Sequence, residues 1–254
     1  MTITSDTQKI DLIEAGKRLA SVLRALRAKV APGVTAGELD ELAERLIREG
    51  GDEPAFLGYT PEGAHRPYPA TLCVSVNDEV VHGIPNESTK TLKEGDIVGL
   101  DLGLTHNDVI VDAAITVPVG EVDEETKKLL RATEQSLMAG IAAAIPGNRV
   151  GDVSNAIAKE IERAGFSVVK ELGGHGVGEL VHEEPFIPNF GRPGSGELLS
   201  EGTVLALEPI ATAGKAGVML APDGYTYRTK DGSRSAHFEH TILIEKGGAR
   251  IITA

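Results

Sequence analysis

A chain of 254 residues, 41 % hydrophobic and 25 % charged, has the make-up of an ordinary globular protein able to bury a real core. Its net charge of −13 argues against nucleic acid or an anionic membrane as partner, since either would call for a basic patch. The single cysteine, Cys73, excludes an internal disulfide and fits a reducing compartment. With no apolar signal segment in MTITSDTQKIDLIEAG and no membrane-length apolar run, a cytoplasmic location is expected.

In chain order, residues 7–30 space Ile10, Ile13, Leu19, Val22, Leu23 and Leu26 as a helix, closed by Pro32-Gly33. A second helix is expected from Ala36 to Glu49, ending at Gly50-Gly51, and the Gly- and Pro-rich span 54–69 reads as loop. Strand-like runs follow: TLCVSV, DEVVHGI, DIVGLDLGL and DVIVDAAITV. Residues 123–145 return to helical spacing, closed by Pro146-Gly147, and another helix runs from Val150 to Arg163 before Gly165. SVVKEL, TVLALEPI and HFEHTILIE complete the strands. Pro32-Gly33, Gly37, Ile47 and Gly51 recur as Pro146-Gly147, Gly151, Ile161 and Gly165, always 114 residues apart. The expectation is therefore an α+β chain, in one large domain or two small ones, built from pseudo-repeat halves at about 7–118 and 121–252, with a site between them.

Four acidic residues interrupt runs that should be apolar. With His106-Asn107 as the hairpin turn, Asp101 would pair directly with Asp112 on one face, Cβ atoms about 5 Å apart. Like charges so placed repel, and burial adds a desolvation cost, so a protonated pair or a bound cation is required. Glu208 ends TVLALE, and period 2 sets His237, Glu239 and Thr241 on one face of AHFEHTILI. GGHGVGELVHEEP, residues 173–185, is no phosphate loop: Glu179 stands where GxGxxG needs glycine, and Glu183 and Glu184 would repel an anion. His175 between glycines reads instead as a ligand whose backbone is allowed close approach, although a lone histidine is more often structural. Two Asp, two Glu and one His fit a pair of divalent ions, Mn²⁺, Fe²⁺, Co²⁺ or Zn²⁺, bridged by carboxylates and a hydroxide.

VVHGIP (80–85), DLGLTHNDVIVD (101–112), GGHGVGELVHEEP, LEPI (207–210) and SAHFEHTI (235–242) resemble the successive motifs of type I methionine aminopeptidases, over about Ile10 to Ile252. The resemblance implies the pita-bread fold in a single catalytic domain, 1–254, a pseudo-twofold arrangement of helices on a curved, mainly antiparallel sheet. It implies removal of initiator methionine from peptides and nascent chains with a small second residue, possible at the ribosome, by a monomer using metal-bridged hydroxide. Carried over, Asp101 would chelate one metal, His175 and Glu208 the other, and Asp112 and Glu239 both. Glu208 would also shuttle the proton, while His82 and His182 would contact substrate, His182 stabilising charge on the carbonyl or leaving amide.

By the same resemblance Phe56, Tyr59, Tyr68, Cys73, Val181 and Tyr225 line the methionine pocket. Val181 and Tyr225 stand where bacterial members commonly carry Phe and Trp, the loop 60–70 is longer than usual, and His237 replaces a common Gln. Only 31 residues separate Glu208 from Glu239, which leaves no room for the helical insertion of type II enzymes. The alternatives are an Xaa-Pro aminopeptidase or prolidase-like activity, whose bearers typically add a large N-terminal domain, and a non-catalytic peptide-binding protein of the same fold.

Overall fold

The helix boundaries follow from their caps. The computed structural model describes residues 1–87 and 89–254. Helix α1, Asp6–Lys29, starts where the Ser5 hydroxyl accepts from the Gln8 backbone N–H. Helix α2, Ala36–Glu49, opens on a reciprocal box in which Glu38 N–H donates to Thr35 Oγ1 and Thr35 N–H to the Glu38 carboxylate. Asp123 caps α3, Glu124–Ala143, and the Asp152 carboxylate accepts from Arg149 N–H at the start of α4, Val150–Arg163. Among the described residues no helix is long and apolar enough to cross a membrane.

Leucines and valines of α1 and α2 pack on Leu72, Val98, Leu100, Leu102, Leu104 and Val111 to form one core. A second core sets α3 and α4 against Leu205, Leu207, Ile242 and Ile244. The first helix pair is fixed to its sheet by Asp40, whose carboxylate accepts from the Thr71 and Leu72 backbone N–H groups at 2.9 and 3.0 Å. Truncating it strands two buried donors, so Asp40→Ala is expected to lower stability by about 1–3 kcal/mol in urea melts; an unchanged midpoint would refute this role.

Every ladder among the described residues is antiparallel. The longest is the hairpin Ile97–His106 with Val109–Pro118, flanked by Leu72–Val76. A five-stranded sheet runs in the order Gly248–Ile251, His240–Glu245, Val204–Leu207, Gly173–Gly176, Glu183–Pro188. Two three-stranded ladders add Ser235–His237, Ile210–Thr212 and Ser167–Val168, and Val218–Leu220, Tyr227–Thr229 and Glu79–Val81.

Several strands differ from the sequence expectation. The hairpin turn is Asn107-Asp108, both left-handed at φ 47° and 63°, not His106-Asn107. Two consecutive left-handed residues make the turn whose twist matches its strands. Asp101 therefore pairs with Ala114, and Asp112 with Gly103. The run TVLALEPI splits at Glu208-Pro209, where proline has no N–H to donate, and HFEHTILIE splits at Phe238-Glu239. SVVKEL supplies only Ser167–Val168, and DEVVHGI only Glu79–Val81, ending before His82, which is itself left-handed at φ 58°. At the second split the Glu239 N–H donates to Ala114 O at 2.8 Å, joining the two groups of strands. The curved sheet is thus four ladders stitched together where the acidic residues lie.

Candidate metal centre

Each acidic group reaches the centre from a separate piece of this framework. Asp101 and Asp112 sit diagonally on one face of the hairpin, two residues out of direct register. Glu208 and Glu239 occupy the two breaks, where the chain passes between the five-stranded sheet and a three-stranded ladder. The Thr241 hydroxyl accepts from Asp112 N–H and donates to Asp112 O, at 2.8 and 2.7 Å, which fixes that backbone independently of its side chain. Asn189 donates to Glu208 O at 3.0 Å and holds the first break.

His175 lies on Gly173–Gly176 between two other strands. A Cβ at Gly174 would run into Ala206 O, and one at Gly176 into Glu184 O. The flanking glycines therefore admit neighbouring strands. His175 Nδ1 is 2.9 Å from Gly176 O, and a carbonyl can only accept, so Nδ1 carries the proton. Nε2 is left as a bare lone pair, 3.5 Å from Glu208 Oε1, which is the form a metal-ligating histidine needs.

Ligand atoms of Asp112, His175 and Glu239 all lie within 4.8 Å of one another. Asp101 and Glu208 fall outside that triplet but line the same cavity. Asp112 Oδ1 and Glu239 Oε1 are buried with no hydrogen-bond partner. Burial, and next the Glu208 charge, pushes the Asp101 carboxyl up to about 8. Asp112 is raised well above its ordinary value by burial and then by Asp101 and Glu208, and Glu239 by burial and then by Asp112, Glu208 and Asp101. Burial likewise raises Glu208. His82, His175 and His237 are each held down to about 3, chiefly by burial, and are neutral imidazoles. Two buried carboxylate oxygens without partners, in a cluster that also presents a bare imidazole nitrogen, are matched by divalent cations.

The cavity is lined by His82, Asp101, Asp112, His175, His182, Glu208 and Glu239. Phe56, Tyr59, Tyr68, Cys73, Val181 and Tyr225 line it too, so the thirteen residues assigned by resemblance as ligands, catalytic groups or pocket wall meet here, whereas His237 does not line it. Pro61 also lines it, although no motif marks it. Cys73 pairs in register with Asp101, and burial pushes its thiol well up. Gly103 leaves room for the Phe56 ring, which a Cβ there would strike. The longer loop is clamped at its base by Gly58 N–H to Tyr68 O and Tyr68 N–H to Tyr59 O, at 2.9 and 2.8 Å. At its tip the Tyr225 hydroxyl donates to Arg66 O. Tyr59 Oη lies 2.9 Å from His182 Nδ1, and the His182 and His175 ring centroids are 4.5 Å apart. The Tyr59–His182 contact spans 123 residues of sequence and carries no local signal.

An α+β fold with buried carboxylates and a histidine converging on a hydrophobic pocket defines a metallopeptidase of the pita-bread class, and the chain belongs to metallopeptidase family M24, whose model matches residues 11–246. It is 45 % identical to the methionine aminopeptidase of Clostridium perfringens (strain 13 / Type A), over 100 % of this chain and 99 % of the relative. It is also 45 % identical to methionine aminopeptidase 1 of Mycobacterium tuberculosis (strain CDC 1551 / Oshkosh), over 94 % and 90 %. The crystal structure of methionine aminopeptidase from Thermotoga maritima superposes with a TM-score of 0.94 at 44 % identity, covering 100 % and 99 % of the two chains. Within family M24 this is a metal-dependent hydrolase of the type I methionine aminopeptidase group. A prolidase from Pyrococcus furiosus shares the fold alone, with a TM-score of 0.75 and 21 % identity.

Proposed function

We propose that the chain removes N-terminal methionine from peptides and nascent proteins whose second residue is small. One observation carries this reading: the cluster of Asp112, His175 and Glu239, with Asp112 Oδ1 and Glu239 Oε1 unpartnered, lines the same cavity as the hydrophobic group Phe56, Tyr68, Cys73, Val181 and Tyr225. Asp112 and Glu239 would hold two divalent ions in common, with Asp101 completing one site and His175 and Glu208 the other. When bound, such ions supply Lewis acidity to the scissile carbonyl and to water.

The remaining work belongs to the protein. The apolar wall takes the methionine side chain, and burial of its thioether and methylenes contributes roughly 0.8 kcal/mol per CH₂. Glu208, an acceptor at the edge of the cluster, takes the proton released as water adds to the carbonyl carbon. It returns that proton to the amide nitrogen, which leaves as the new N-terminal amine. With Tyr59 donating to Nδ1, His182 carries its proton on Nε2 and offers it to the carbonyl oxygen as charge develops there. His82, half-buried and neutral, is positioned beside His182 to contact the peptide. The single, unpaired Cys73 supports action in the reducing cytoplasm.

Protein stripped with a chelator is expected to lose hydrolysis of a Met-Ala-Ser peptide and regain it with Mn²⁺, Fe²⁺, Co²⁺ or Zn²⁺. Full activity in chelator would overturn the reading. Faster cleavage of an Ala-Pro peptide than of a Met-Ala peptide would move it to the prolidase-like branch.

A further inference from the structure

His237 has no task in the reaction just described, yet its surroundings demand one. It ends the strand Ser235–His237, directly before the break that presents Glu239. Its backbone is fixed by Thr116, whose hydroxyl accepts from His237 N–H at 2.9 Å and donates to His237 O at 2.7 Å. The side chain is 4 % exposed, and Nε2 has no hydrogen-bond partner. That nitrogen lies 3.5 Å from Glu208 Oε2 and 3.8 Å from Glu239 Oε2. Glu208 Oε1 meanwhile faces His175 Nε2, so imidazoles flank both oxygens of this carboxylate.

The two histidines stand in different places. His175 lines the cavity and belongs to the ligand triplet, whereas His237 does neither and lies behind Glu208 and Glu239. A lone pair on His237 Nε2 would face two acceptor oxygens and repel both. A proton on Nε2 satisfies the nitrogen and either oxygen, at separations that a small carboxylate rotation closes to a hydrogen bond.

The geometry points to His237 as a positioning residue for the metal centre, its Nε2–H shared between Glu208 and Glu239 so that their remaining oxygens are held toward the cations. The inference rests on the metal-centre reading above. Carboxylates that ligate metals are themselves hydrogen-bonded, and loss of such a donor weakens metal binding by about 10- to 100-fold.

The test compares wild type, His237→Leu, which removes the donor, and His237→Gln, which keeps an N–H donor. Each metal-free protein is titrated with Mn²⁺ by calorimetry, and the visible spectrum of each Co²⁺-loaded form is recorded. The leucine variant is expected to bind Mn²⁺ about 10- to 100-fold more weakly and to shift the Co²⁺ bands. The glutamine variant is expected to stay close to wild type in both. Wild-type Mn²⁺ affinity in the leucine variant overturns the proposal. Equal weakening in both variants also overturns it, assigning His237 to packing or to direct ligation. Thermal melts of the metal-free proteins report folding, and His237→Met, also without a donor, carries the test if the leucine protein does not fold. Wild type that binds no Mn²⁺ defeats the metal-centre reading, whereas binding that the leucine variant retains defeats this inference alone.

Discussion

Asp112→Asn is expected to abolish metal binding and peptide hydrolysis together while making the metal-free protein more stable. The asparagine keeps the shape and the backbone anchoring, because both bonds to Thr241 use Asp112 main-chain atoms. It removes a buried carboxylate whose Oδ1 has no partner and whose neighbours Asp101 and Glu208 repel it. Relief of about 1 kcal/mol would raise the melting temperature by about 2–4 °C at this chain length. Wild type should gain about 2.7 kcal/mol at a metal concentration 100 times its dissociation constant, and the variant should gain none. Losing several kcal/mol of Lewis-acid stabilisation lowers kcat/KM by about 10²–10⁴-fold.

The pH dependence has a definite sign. Asp101 is raised in the folded state, so the metal-free fold binds its proton more tightly than the unfolded chain does. Stability is then fullest below the unfolded carboxylate pKa of about 4 and falls as pH rises toward about 8. Asp112 is raised in the same sense, so Asp112→Asn should flatten that fall. Thermal melts across pH, with and without Mn²⁺, check all of this. A variant that keeps the wild-type metal-dependent shift, or melts lower when metal-free, would defeat the assignment.

How far the sequence carried depended on whether the deciding physics was local. Helices α2 and α4 were legible to their end residues because Thr35 and Glu38 cap one, Pro146-Gly147 precedes the other, and glycines follow both. The hairpin register was not, since His106-Asn107 and Asn107-Asp108 are both plausible turns and only the twist of the assembled ladder chooses. Moving the turn by one residue shifts the pairing by two, so Asp101 and Asp112 remain on one face although they are not opposite. Glu208 and Glu239 stood out as acidic residues in apolar runs, but their place in breaks between ladders depends on Pro209 and on Ala114, a long-range partner. The His175 tautomer and the Tyr59–His182 contact exist only once distant segments meet.

His182→Ala is expected to lower kcat by about 10²–10³-fold with little change in KM, the loss associated with one donor aimed at a developing oxyanion. His182 packs edge-on against His175 but is not one of the triplet Asp112, His175 and Glu239, so its removal should leave metal affinity intact. Burial holds its pKa down, so the imidazole acts as a neutral donor. With Tyr59 donating through its 2.9 Å bond to Nδ1, the neutral ring carries its proton on Nε2. Tyr59→Phe leaves the ring in place and frees the tautomer, so its effect should fall on kcat in the same direction and be smaller. His182→Gln, which retains an N–H donor, should recover part of the alanine loss. Steady-state kinetics on one Met-Ala-Ser peptide, with Mn²⁺ titrations of each protein, separate the cases. An alanine variant that raises KM and spares kcat would make His182 a binding residue. One that loses Mn²⁺ would make it part of the metal centre. A fall in kcat alone, partly restored by glutamine, is the result that places the donor at the scissile carbonyl.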